Sequence, residues 1–197
     1  MRPAGTRPAG TRPAGTRIIA GAWRGRRLLA PPGLATRPTA DRVRQAMFDM
    51  LVHAPWGGPD AVDGVHTLDA FAGSGALGLE ALSRGAAAAT FIDQDQAAIR
   101  VLRANIGACS ADQRCTVIMA DVLTAAPGRP CGLVFLDPPY GRDLVSKAIG
   151  ALGRRGWIRP GALIVAETGR DEAAPACAMM LAERVHGAAR ISIWRVA

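Results

Sequence analysis

One stretch restricts the architecture more than any other: Leu68-Asp-Ala-Phe-Ala-Gly73-Ser-Gly75-Ala-Leu-Gly78, where an apolar run ends in an acid and passes through three glycines into a helical pattern. A strand that gives way to a glycine turn and then to a helix opens a βαβ unit. In a doubly wound sheet that turn lies at the carboxyl edge, where ligands bind. The rest of the chain repeats the alternation. Apolar runs at Val65–Phe71, Ala88–Asp93, Thr116–Met119, Leu133–Asp137 and Leu163–Glu167 read as strands, and helical patterns fit residues 76–84, 95–106 and 142–152. The tail differs, because Glu183–His186 and Arg190–Trp194 flank Gly187-Ala-Ala and predict a closing antiparallel hairpin. The pattern predicts an α/β fold with a mainly parallel sheet and helices on both faces.

Upstream of this body the composition changes twice. Residues 2–16 are three copies of Arg-Pro-Ala-Gly-Thr, with no side chain large enough to build a core, and residues 1–16 are expected to be disordered. An extension follows over 17–60. Arg17–Gly21 and Arg26–Ala30 flank Ala22-Trp23-Arg24-Gly25 as a small hairpin, and Val43, Ala46, Met47, Met50 and Leu51 recur at helical spacing behind Thr39, which is placed to cap. Pro55, Gly57, Gly58 and Pro59 then separate the extension from the catalytic body at 61–197.

The net charge of +8 is concentrated in this front end: eight arginines and no acid precede Asp41, and from Asp41 onward sixteen basic residues meet sixteen acidic ones. A basic arm on a neutral body suits a phosphate-bearing partner, which makes Arg17, Arg24, Arg26, Arg27 and the interleaved Trp23 candidate RNA contacts. A solvated tail, and a Trp that covers a small core, account for the same residues.

Gly73, Gly75 and Gly78 form a literal G-x-G-x-x-G with Asp93 at the next strand end, the outline of a nicotinamide site. Asp69 argues otherwise. A carboxylate at the strand end intrudes where a dinucleotide's pyrophosphate needs room and no extra negative charge. S-adenosylmethionine carries no phosphate, and its ammonium would welcome that acid. On this reading Asp69, Phe71, Gly73, Ser74, Gly75 and Gly78 surround the donor, Asp93 accepts from the ribose diol and Asp121 from the adenine amine. Asp95 is better explained as a helix cap.

Leu133–Leu136 runs directly into Asp137-Pro138-Pro139-Tyr140. Two prolines fix φ twice and leave a rigid turn whose carbonyls are free to accept. The Asp137 carboxylate and the Pro138 carbonyl can each accept a hydrogen from one NH₂ group. They would draw a conjugated base amine toward tetrahedral geometry and aim its lone pair at a methyl donor. Tyr140, the chain's single tyrosine, can stack on an extruded base. As a bare tetrapeptide the same residues are a strand-ending turn; the glycine loop on the same sheet favours chemistry.

Asp-Pro-Pro-Tyr matches the signature of amino methyltransferases. Together with Arg17-Ile-Ile-Ala-Gly21, Arg37-Pro-Thr-Ala-Asp41-Arg-Val-Arg44 and the glycine stretch through Glu80-Ala-Leu82, the sequence resembles the bacterial 16S ribosomal RNA guanine-N2 methyltransferase family over residues 17–197. The resemblance implies a Rossmann-like class I methyltransferase fold whose seven-stranded sheet carries the C-terminal hairpin, with S-adenosylmethionine as donor. It implies a guanine of 16S ribosomal RNA or of the small ribosomal subunit as acceptor, and a donor-binding role for Arg37, Pro38 and Thr39. The Arg-Pro-Ala-Gly-Thr repeats lie outside the family pattern.

A DNA adenine-N6 or cytosine-N4 methyltransferase would use the same tetrapeptide, but no insertion here could house a recognition domain. An RNA-binding module on an inactive fold is a third reading, against which the intact tetrapeptide speaks. His53, His66 and His186 are scattered and Cys109, Cys115, Cys131 and Cys177 show no paired spacing, so neither a metal site nor a disulfide framework is expected. With no membrane-length apolar run and no signal sequence, the expectation is a cytoplasmic monomer.

Overall fold

The computed structural model describes residues 15–31, 38–172 and 179–197. A two-stranded antiparallel hairpin, β1 (Gly15–Arg17) and β2 (Arg27–Leu29), leads to helix α1 (Pro38–His53). Then come β3 (His66–Ala70), α2 (Ala76–Ser83), β4 (Ala88–Asp93), α3 (Gln96–Ala108), β5 (Cys115–Met119), β6 (Cys131–Leu136), α4 (Leu144–Arg154) and β7 (Ile158–Gly169). Strands β8 (Met179–His186) and β9 (Ala189–Arg195) close the chain.

The main sheet has the order β5-β4-β3-β6-β7-β9-β8. The first five strands in that order are parallel to one another, and β9 runs antiparallel to both β7 and β8. The chain leaves β3 in one direction across the sheet and returns to β6 on its other side, so the carboxyl ends of β3 and β6 flank the switch point where such sheets bind ligands.

Local sequence explains the elements. All six residues of β6 are buried, as a central strand covered on both faces requires. Helix α3 buries Ala98, Ile99, Leu102 and Ile106 along one face, and Asp95 caps it by accepting from the Ala97 amide at 2.6 Å. One face of the sheet packs Phe91, Phe135 and Val165 against α1, α2 and α3, with Phe48 of α1 and Phe135 at 5.5 Å between ring centroids. The other packs Ile92, Val134 and Ile164 against α4.

Several sequence expectations need correction. Helix α1 starts at Pro38, so Thr39 sits within its first turn and not at its cap; proline suits a first helical position because the amide it lacks would be unbonded there. Gly15 and Thr16, expected in the disordered repeats, pair with Leu29 and Leu28 in the hairpin. The strand survives a low-complexity composition because Thr16 is buried and its hydroxyl donates to Asp41 while accepting from Arg44 at 2.9 Å. Strand β7 begins at Ile158, ahead of the expected Leu163, and passes through Pro160 and Gly161.

The hairpin and α1 are fastened to the body through Glu80 of α2, which is fully buried. Its carboxylate accepts from the Ile19 amide at 2.7 Å and the Ala20 amide at 3.0 Å, and from Arg84 Nε at 2.7 Å. Arg44 lies 3.7 Å away and also donates to the Arg17 carbonyl at 2.7 Å. Four donors or cations on one buried carboxylate satisfy a charge that would otherwise be costly. Glu80→Ala removes the acceptor shared by buried Arg44, part-buried Arg84 and two amides, and is expected to lower unfolding stability by about 3–5 kcal/mol in urea titrations. A loss below about 1 kcal/mol would mean that the network is dispensable.

Candidate active site

At the end of β3 the backbone turns sharply. Phe71 adopts φ +68°, rare for a residue with a side chain, and both its amide and that of Ala72 donate to the Ile92 carbonyl at 3.0 Å. The glycines that follow serve different ends. Gly75 caps α2 in the left-handed region at φ 78°. Gly78 is required by contact, because a Cβ there would stand 2.4 Å from the Phe91 ring.

Asp69 is buried beneath this turn, and one carboxylate oxygen accepts from the Gly78 amide at 2.8 Å. Among the described residues its other oxygen makes no hydrogen bond. Desolvation pushes its pKa up to about 8; the Gly78 bond opposes the shift, and the charges of Asp137 and Asp93 add to it. Asp93 acts on the loop itself, accepting from the Gly73 amide at 2.7 Å and the Asp95 amide at 2.8 Å.

Between these elements lies a cavity of about 490 Å³. Its wall takes Asp69, Phe71, Gly73 and Ser74 from the glycine turn, Asp137 and Tyr140 from the tetrapeptide, and Val43, Arg44 and Met47 from α1. The structure thus brings together two motifs that lie far apart in sequence. Gly75 and Gly78 shape the turn, and Pro138 and Pro139 the tetrapeptide, without lining the cavity. Asp93 and Asp121 do not line it either: Asp93 holds the loop, and Asp121 is exposed and accepts from the Leu123 amide at 2.9 Å. Arg37 lies outside the described residues. Pro38 and Thr39 belong to the first turn of α1, the helix that supplies part of the wall.

Asp137 is open to the cavity by surface area yet set deep among protein atoms on its other sides. Desolvation there raises its pKa to about 7, and the charge of Glu167 adds to the rise. The Tyr140 side chain is 46% exposed and its hydroxyl donates to Glu167. Burial and that bond both raise the phenol's pKa, which keeps it a donor.

Glu167, Arg44 and Met47 are wall residues that the sequence reading did not single out. For Glu167 a signal existed, since it ends the apolar run of β7 as Asp69 and Asp93 end theirs. Arg44 lay within a recognised segment but gave no sign that it would be buried.

At the hairpin, Arg24 and Arg27 are exposed and their side chains make no hydrogen bond or ion pair among the described residues. Arg17 is exposed with Asp41 at 3.7 Å. Arg26 is committed to the Ala108 carbonyl, and Trp23 packs on the core under the Arg114 guanidinium, 5.1 Å from its ring centroid.

A glycine turn over an acidic floor at the switch point of a doubly wound sheet, facing Asp-Pro-Pro-Tyr at the adjacent strand end, defines a Rossmann-like class I methyltransferase. Over residues 16–195 the sequence matches the family described as Conserved hypothetical protein 95, and the chain belongs to that family. It is 42% identical over 161 residues to ribosomal RNA small subunit methyltransferase D of Escherichia coli, covering 81% of this chain and 77% of that protein. A solved Escherichia coli chain, yhhF, superposes with a TM-score of 0.79 at 38% identity, covering 92% of this chain and 98% of the other. The Thermus thermophilus 16S rRNA N2 G1207 methyltransferase, solved with AdoMet and guanosine, shares the fold at a TM-score of 0.68 and 17% identity, over 94% of this chain and 50% of that one. Among the described residues no helix is long and apolar enough to cross a membrane.

The raised pKa of Asp69 has a consequence for stability. The folded state holds the proton up to about pH 8, whereas an unfolded aspartate releases it near 3.8. The native state therefore binds more protons between these values, and stability falls as pH rises through that window, by up to about 1.4 kcal/mol per pH unit. Asp69→Asn keeps an acceptor for Gly78 and cannot ionise. Its stability relative to wild type is expected to climb from pH 5 to 8 and to level off above. Parallel pH profiles for the two proteins in chemical denaturation would show that Asp69 is not a buried proton holder.

Proposed function

We propose that the protein transfers a methyl group from S-adenosylmethionine to the exocyclic N2 amine of a guanine in small-subunit ribosomal RNA. The observation that carries this reading is the shared cavity: Asp137 and Tyr140 open into the space walled by the glycine turn and floored by Asp69.

The residues fit the donor. The cavity volume lies in the range of cofactor sites. The unbonded oxygen of Asp69 suits an ammonium group, Phe71 and Met47 offer apolar surface, and the turn needs no phosphate. Asp93 bonds the Gly73 amide, so a ribose diol would share or displace that bond. S-adenosylmethionine, when bound, supplies an electrophilic methyl on a sulfonium.

The chain's own groups prepare the other partner. Tyr140 offers a half-exposed ring for an extruded base. The Asp137 carboxylate accepts one hydrogen of the amine and the Pro138 carbonyl the other, which localises the nitrogen lone pair and orients it. As the amine becomes cationic during attack, the Asp137 charge stabilises it and then takes up the proton. Arg17, Arg24 and Arg27 provide free or weakly paired cations for phosphates, while Trp23 and Arg26 hold the hairpin that presents them.

Asp137 must be ionised to accept and stabilise. Because its pKa lies near 7, single-turnover rates are expected to fall about tenfold per unit below that pH and to flatten above it. Asp137→Asn should lose this dependence and slow transfer by roughly two to three powers of ten, with donor affinity little changed. Wild-type rates in the variant would reduce the tetrapeptide to a structural turn.

A further inference from the structure

Asp137 has a companion that the proposed reaction leaves unused. Strands β6 and β7 pair Leu136 with Ala166, so Asp137 and Glu167 are the next residues outward on adjacent parallel strands, whose backbones run about 4.8 Å apart. Both line the cavity. One Glu167 oxygen accepts from the Tyr140 hydroxyl, and the other makes no hydrogen bond among the described residues. The site therefore sets two acceptor groups side by side, next to the ring on which a base would stack.

The edges of the bases answer this pair differently. Guanine carries two adjacent donors, the N2 amine and N1–H. Adenine and cytosine each place a ring-nitrogen acceptor beside their exocyclic amine. A second carboxylate gains a hydrogen bond from guanine but meets a lone pair on either of the others.

We propose that Glu167 selects guanine, accepting N1–H of the target base while Asp137 holds the neighbouring N2 amine. The inference rests on the guanine-N2 reading above and assigns the residue that enforces it. Tyr140 serves both tasks, since its ring carries the base and its hydroxyl fixes the Glu167 carboxylate in the plane of the base edge.

The test uses small-subunit ribosomal RNA in which the methylated position, mapped with labelled donor, holds either guanine or 2-aminopurine. The analogue keeps the N2 amine, replaces N1–H with an acceptor and lacks O6. Wild type is expected to methylate guanine faster. In Glu167→Gln the side-chain amide can donate to an acceptor at N1, so the guanine rate should fall, the 2-aminopurine rate should hold or rise, and the preference should shrink by about tenfold or more. Tyr140→Phe, which releases the Glu167 carboxylate but keeps both acids, should slow both substrates and narrow the preference less than Glu167→Gln does. Equal slowing of both substrates by Glu167→Gln would make Glu167 a support for Tyr140 and overturn the proposal. Nucleoside analysis of the wild-type product separates the two readings. If it contains no N2-methylguanosine, the guanine-N2 assignment itself fails; if it does and the preference survives in Glu167→Gln, only the role of Glu167 fails.

Discussion

The buried charge of Glu80 organises the front half of the molecule. A carboxylate without access to water needs a full set of partners, and here they come from three places: the hairpin's backbone amides at Ile19 and Ala20, Arg44 of α1, and Arg84 at the end of its own helix. Each partner is itself tied elsewhere. Arg84 also stacks over the Phe48 ring at 4.6 Å, and Arg44 reaches Thr16 and Asp41. Replacing the whole set with apolar residues could be as stable, but removing Glu80 alone leaves its donors without their shared acceptor. The network therefore fixes where α1 lies, and α1 is one wall of the cavity.

A second constraint acts at the opposite wall. Asp69, Asp137 and Glu167 converge on one space, and mutual repulsion with desolvation lifts the first two well above the ordinary carboxylate range. The fold tolerates this concentration because protons neutralise part of it. Under the proposed reaction the cationic donor relieves more, so the acids that cost stability in the free protein are those that gain most from ligand. This is the usual relation between strain at a site and its function.

Much of this was legible in the sequence, and the limits follow a pattern. Features set by local chemistry could be read directly: β4 runs from Ala88 to Asp93 as its apolar pattern indicates, Asp95 caps α3, and the glycine stretch marks the strand-to-helix turn. Features set by distant partners could not. Thr16 looked like part of a featureless repeat because the groups that order it lie in α1. Glu80 looked like an ordinary helix acid because its partners sit on other elements. The first half of β7 was hidden by Pro160 and Gly161, residues that weaken strand propensity but are accommodated where the ladder to β6 is irregular. The loop amides that Asp93 and Asp121 bond were also beyond reach, since only backbone geometry decides which amides face a strand-end acid.

Thr16 and Arg44 line the cavity and also seat the hairpin. The arm and the pocket are thus built from shared bricks and do not form separable modules. Drift in β1 or along the inner face of α1 would disturb both at once, which leaves the exposed tip around Arg24 and Arg27 as the part of the arm free to diversify. If the tip has the RNA-gripping role proposed for it, a lineage could retune that grip there while the pocket stays unchanged, and a graft of this hairpin onto another methyltransferase would have to bring α1 with it.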